Sequence, residues 1–182
     1  EDTPLNLTDI VVSDVDNATV TATLTMTNPS AGSLSTATSG ATTATYNAGT
    51  GVWTASGAVA NVNTLLAGVT FTPTANFNSS FTILTSISDG TASVTGGKSI
   101  TGVAVNDAPT ATNLSASETY TEDTSLNLTD IVVSDVDNAT LTATLTLSNP
   151  SAGSLSAATA GATTSTYNAG TGVWTASGAI AD

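Results

Sequence analysis

The sequence predicts an all-β fold, a β-sandwich repeated along the chain. Three observations lead there: apolar residues recur with period two, short turn motifs separate the alternating runs, and the opening of the chain is spelled again 121 residues later. In ATVTATLTMT (18–27), Val20, Ala22, Leu24 and Met26 fall on one face and threonines fill the other, the pattern of a half-buried strand.

The elements follow in order. LNLTDIVV (5–12) reads as a first strand and 18–27 as the second, and the NPSAG turn comes next. The NAGTG turn then leads into GVWTAS (51–56). VANVNTLLAG (59–68) switches to helical spacing, with Val62, Leu65 and Leu66 on one face and Gly68 as its stop, and is expected to make no more than a turn or two. GVTFTP (68–73), SFTILTSIS (80–88) and ASVTGGKSITGVAV (92–105) return to period two, punctuated by SDG and closed by NDAP. Trp53, its equivalent Trp174, Phe71, Phe77 and Phe81 are the bulkiest apolar groups and are expected to anchor the core. Tyr46 and Tyr167, beside the Asn-Ala-Gly turn, are candidates for the surface.

EDTPLNLTDIVVSDVDNAT starts at Glu1 and EDTSLNLTDIVVSDVDNAT at Glu122; the copies stay in step through YNAGTGVWTASG (46–57 and 167–178). The expected organisation is a complete sandwich over 1–106, a linker and first-strand region over 107–121, and over 122–182 the first half of a second, near-identical repeat. Residues 62–105 are expected to complete the 1–61 half, and the 122–182 half to be completed by residues outside this chain.

Charge narrows the chemistry. The chain has one basic residue, fourteen acidic ones, no histidine and no cysteine, for a net charge of −13. A single lysine cannot neutralise a phosphate backbone, so nucleic acid is not an expected partner. No apolar run is long enough to span a bilayer, which argues against direct membrane insertion. Without histidine or cysteine, only oxygen ligands remain for a metal. Lys98, after a double glycine, reads as a solvated charge at a strand edge, and Glu118 as a solvated strand residue.

The acids gather around the repeat boundary, and no charged side chain stands between Asp16 and Asp89. SDVDNAT occurs at 13–19 and again at 134–140, placing Asp14 beside Asp16 and Asp135 beside Asp137, each pair followed by an asparagine (Asn17, Asn138). Carboxylates two residues apart repel unless a positive charge lies between them, and no basic residue is near. A hard cation such as Ca²⁺, which accepts six to eight oxygens, answers the problem. A solvated acidic turn, with Asp and Asn capping the backbone, is the alternative. The EF-hand pattern is not met, because its glycine and twelfth-position glutamate are missing.

VNDAPT (105–110) resembles the inter-domain linker of cadherins and of the cadherin-like tandem repeats in large bacterial surface adhesins of the type I-secreted (RTX) kind. TEDT (121–124) is similar to the acidic opening of such a module, SDVDN (134–138) to its DxD element, and 71–90 to its later strands. The resemblance implies a cadherin- or immunoglobulin-like Greek-key sandwich, modules joined end to end, and calcium at the junctions. It implies ligands from Asn106, Asp107, Asp135, Asp137 and Asn138, with Glu1 and Asp2 as the first module's acids and Asp14, Asp16, Glu122 and Asp123 as their repeat equivalents. NDAP departs from the fuller DxNDNAP linker, which implies one or two ions per junction rather than three.

The expected function is mechanical: a calcium-rigidified extender repeat of a bacterial surface adhesin, at the cell surface or outside the cell, whose partners are the neighbouring repeats of the same chain. A subunit of a secreted fibre, joined to other copies by strand exchange, is the alternative, and a carbohydrate-binding module using Tyr46 and Trp53 a further one. An enzyme is not expected, because the carboxylates sit at a boundary and not in a pocket lined with aromatics and donors.

Overall fold

A computed structural model describes all residues, 1–182, and shows an all-β chain of antiparallel sheets with one short α-helix. It divides into two compact units, Glu1–Val105 and Asn106–Asp182.

The first unit opens with β1 (Leu5–Asn6) and β2 (Thr19–Met26), followed by the short strands β3 (Gly32–Leu34), β4 (Thr38–Ser39), β5 (Thr42–Thr43) and β6 (Thr45–Asn47). β7 (Val52–Ala58) runs directly into α1 (Val59–Ala67), and β8 (Thr70–Pro73), β9 (Phe81–Ser88) and β10 (Ser93–Ile100) complete the unit. A five-stranded sheet in the order β10-β9-β2-β7-β6 and a three-stranded sheet in the order β1-β8-β3 contribute to one core. Alternation places the core side chains: along β2, Val20, Ala22, Leu24 and Met26 are buried while the threonines between them are not. Strands from 62–105 pair with the 1–61 half: β8 with β1 and β3, and β9 with β2.

Trp53 is fully buried opposite Leu24, and its indole N–H donates to the Ser35 carbonyl at 3.0 Å, giving the one polar atom of the ring a partner. Phe71, Phe81 and Phe77 extend the cluster, with ring centroids 5.1 Å apart for Phe71 and Phe81 and 6.1 Å for Phe77 and Phe81. Tyr46 is half-buried, and its hydroxyl donates to the Gly32 carbonyl at 3.1 Å. Removal of the phenol from water pushes its pKa up.

Two elements differ from the sequence reading. α1 spans nine residues, more than two turns, because Val62, Leu65 and Leu66 bury a complete apolar face. Gly68 does stop it, its N–H donating back to Leu65, but with φ −97° and not in the left-handed region. In 5–12 only Leu5 and Asn6 are strand. Beyond them the backbone is held by α1 and its C-terminus: Leu7 N–H donates to the Val69 carbonyl at 3.0 Å, and the Asn63 side chain bonds both N–H and C=O of Val12 at 2.8 and 2.9 Å. Lys98 stands on β10, an edge strand, where charge discourages pairing with another sheet.

The second unit has β11 (Thr110–Ala111) paired with β12 (Val133–Ser134), and a sheet in the order β13-β16-β15-β14 built from β13 (Thr140–Thr146), β14 (Thr159–Ala160), β15 (Thr163–Asn168) and β16 (Val173–Ala179). Repeat-equivalent residues keep their register: Leu145 lies opposite Trp174 as Leu24 does opposite Trp53, and the Trp174 indole donates to the Ser156 carbonyl at 3.1 Å. Gly172 closes the turn before β16 with φ +70°, as Gly51 does before β7 with φ +69°, a backbone conformation that glycine adopts without steric cost. Counterparts of α1, β8, β9 and β10 are not part of this unit.

Candidate functional site

The SDVDN loop folds the same way in both units. In the first, Asp14 Oδ1 accepts from the N–H groups of Asp16 and Asn17 at 2.9 and 2.7 Å; in the second, Asp135 Oδ1 accepts from those of Asp137 and Asn138 at the same distances. Each is an Asx-type turn in which the first aspartate caps the backbone and the second projects outward. Two backbone donors and the Asn138 side chain stabilise the anionic form of Asp135, holding its carboxyl below the usual carboxylate range. The capping that sequence reasoning set against a cation is therefore present, and it engages only Oδ1 of each leading aspartate.

What the loops meet differs. In the second unit the linker comes to the loop: the Asp107 N–H donates to Asp137 Oδ2 at 2.6 Å, and Asn138 Nδ2 donates to Asn106 Oδ1 at 3.0 Å. Asn106, Asp107, Asp135, Asp137 and Asn138 thus form one oxygen-rich cluster, with β11 pairing to β12 immediately beyond it. Within this unit the carboxylates of Asp107 and Asp137 bring ligand oxygens within 4.8 Å of each other, a donor pair that suits a hard cation, which takes oxygen ligands and tolerates irregular geometry. The unit that holds this cluster contains no lysine, arginine or histidine.

In the first unit the loop meets the β9–β10 turn. Asn17 Nδ2 donates to Asp89 Oδ2 at 3.0 Å, while Asp89 Oδ1 accepts from the Thr91 and Ala92 N–H groups at 2.7 and 2.6 Å. The Ala92 and Thr91 bonds hold the Asp89 carboxyl below its usual range, and Asn17 adds to the effect. Asp89 escaped the sequence reading as a partner of the loop. Its signal was the SDG turn, which marks an aspartate poised to accept backbone N–H groups.

The remaining candidates make their own contacts within each unit. Glu1 Oε1 accepts from the Val105 N–H and the Glu1 nitrogen donates to the Val103 carbonyl, both at 2.9 Å, tying the first residue of the unit to its last segment. Asp2, at φ +59°, accepts from the Asn76 N–H at 2.9 Å. Its repeat equivalent Asp123 has φ +64° on the exposed Thr121–Thr124 turn with Glu122, and neither side chain is hydrogen-bonded to the SDVDN loop of its unit. Asp16 is exposed. Glu118 lies on no strand, contrary to the sequence reading: its carboxylate accepts the Thr129 N–H at 2.8 Å, which lowers its pKa.

No helix is long and apolar enough to cross a membrane. Compared with known proteins, the chain matches no family model, no curated protein and no solved structure.

Proposed function

We propose that this chain is a calcium-stiffened extender segment of a bacterial surface adhesin, built from cadherin-like Greek-key sandwich repeats joined end to end. The observation that carries the reading is the bond from the Asp107 N–H to Asp137, which draws the NDAP linker and the SDVDN loop into one oxygen cluster within the second unit. A Ca²⁺ ion held by Asp107, Asp135 and Asp137, with Asn106 or Asn138, would offset their repulsion and tie the linker to the module that follows it. Repeats linked this way form a quasi-one-dimensional array, and pinning each linker turns a flexible string into a stiff spacer that carries a binding tip away from the cell. Solubility fits an extracellular setting without disulfides: threonine, serine and asparagine cover the surface between sparse acids.

Isothermal titration with calcium tests the reading. Saturable binding with a dissociation constant on the order of 10⁻⁴–10⁻³ M, the range of extracellular calcium modules, is expected. An absence of heat together with unchanged chemical shifts at 106–107 and 135–138 would refute it.

A further inference from the structure

The turn between β9 and β10 carries a reactive pair that the cation reading does not use. Asp89 is the only aspartate or asparagine of the chain followed by glycine. The carboxyl carbon of an aspartate can close a five-membered imide ring with the backbone nitrogen of the next residue, and the side chain of that residue hinders the approach. The residue after Asp14 and Asp135 is valine, after Asp9 and Asp130 isoleucine, and after Asp2 and Asp123 threonine, all branched beside the nitrogen. Gly90 has no such group and sits at φ +94°, where a glycine is free of strain.

Water and motion both reach this turn. Gly90, Thr91 and Ala92 are exposed, and a Cβ built on Gly90 would meet nothing within 4 Å. Hydrogen bonds restrain the two reacting groups. The Gly90 N–H donates to Ser88 Oγ at 3.1 Å, and Asp89 Oδ1 accepts from the Thr91 and Ala92 N–H groups at 2.7 and 2.6 Å. Asp89 Oδ2 accepts from Asn17 Nδ2 at 3.0 Å, so the last restraint comes from the SDVDN loop, 72 positions away.

We propose that Asp89–Gly90 is a spontaneous modification site, converting to isoaspartate when the Asn17 and Ser88 bonds open. The Gly90 nitrogen bonds to the side-chain carboxyl carbon of Asp89, and the carboxyl hydroxyl leaves with the Gly90 amide hydrogen as one water. A second water adds to the main-chain carbonyl carbon of Asp89 and breaks its bond to the Gly90 nitrogen, freeing that carbon as a carboxylate. The composition is unchanged and no oxidant or reductant is consumed. The main chain then runs through the Asp89 side chain and is longer by one methylene. The carboxylate that accepted from Asn17, Thr91 and Ala92 no longer stands in that place, so the SDVDN loop of the first unit loses its tie to the hairpin. The proposal is independent of the calcium reading, which concerns the cluster of the second unit.

The test ages the intact chain at neutral pH, below its unfolding temperature, and follows isoaspartate by peptide mapping with electron-transfer fragmentation. Isoaspartate should accumulate at position 89 ahead of every other aspartate, and more slowly than in the synthetic peptide 86–93. Asn17→Ala should speed it about three- to tenfold, the rate equivalent of one lost hydrogen bond. Ser88→Ala, which frees the Gly90 nitrogen without touching the loop, should act in the same direction and serves if Asn17→Ala does not fold. Asp89→Glu should abolish the product, because its ring would have six members. Hydrogen exchange in the aged protein should quicken at 16–17 and 91–92. Conversion at another aspartate first, a folded-chain rate equal to that of the peptide, or folded variants that age no faster than the parent would overturn the proposal.

Discussion

The two tryptophans form an internal experiment, because they share sequence, register and hydrogen bond but not burial. Replacing Trp53 by Ala removes a side chain that is fully buried in the core cluster opposite Leu24, together with its bond to Ser35. An aromatic of this size buries about 200 Å². At about 25 cal/mol per Å² that is ~5 kcal/mol of transfer free energy, in line with the ~3–5 kcal/mol typical of Trp→Ala in cores. Trp174 is only partly buried, so the same substitution there should cost about half as much or less. The assay is urea denaturation followed by far-UV circular dichroism, with hydrogen exchange assigning each transition to its unit. Circular dichroism is needed because each substitution removes a fluorophore. Equal losses at the two positions, or a loss under about 1 kcal/mol at Trp53, would refute the claim that one sheet face is sealed and the other open.

Other expectations follow from the same geometry. Changing Asp135 and Asp137 to Asn should weaken calcium binding about tenfold or more by calorimetry, whereas Asp130→Asn in the same unit should leave it within about twofold. Tyr46→Phe should cost about 0.5–1.5 kcal/mol in denaturant midpoint experiments through loss of the bond to Gly32, and the Tyr46 phenol should ionise above the ordinary tyrosine value of 10.0 in an absorbance titration. Asp89 has a folded-state pKa below its ordinary value of 3.8, so its contribution to stability is complete above the unfolded value and is lost as pH falls through the folded one. Acid titration by NMR should therefore give Asp89 a midpoint under 3.8, and Asp89→Asn should flatten the stability profile in that acid window.

Period-two alternation made β2, β7, β8 and β9 readable, because each buries alternate residues in the core; β10 buries no residue and pairs as an edge strand. The same rule overextended the strand at 5–12, where alternation persists but the hydrogen bonds go to Asn63 and Val69, partners that only tertiary structure supplies. β3 to β6 escaped notice because threonine, serine and alanine fill 32–47 almost uniformly and two- or three-residue strands leave no period to count. At the candidate site, the DxDN spacing and the NDAP linker were visible as letters. Their meeting through Asp107 and Asp137 joins residues thirty positions apart and was legible only by resemblance. At Asp2 the sequence showed the acid but not its surroundings: the left-handed backbone and the bond from the Asn76 N–H depend on a partner 74 positions away.

The most direct test of the account is backbone NMR relaxation of the intact chain with calcium and with chelator. The account predicts that calcium shifts the amide resonances of Asn106, Asp107 and Asp135–Asn138 and raises the order of 106–107 to that of the neighbouring strands β11 and β12. Calcium that leaves those amides and their order unchanged would contradict it.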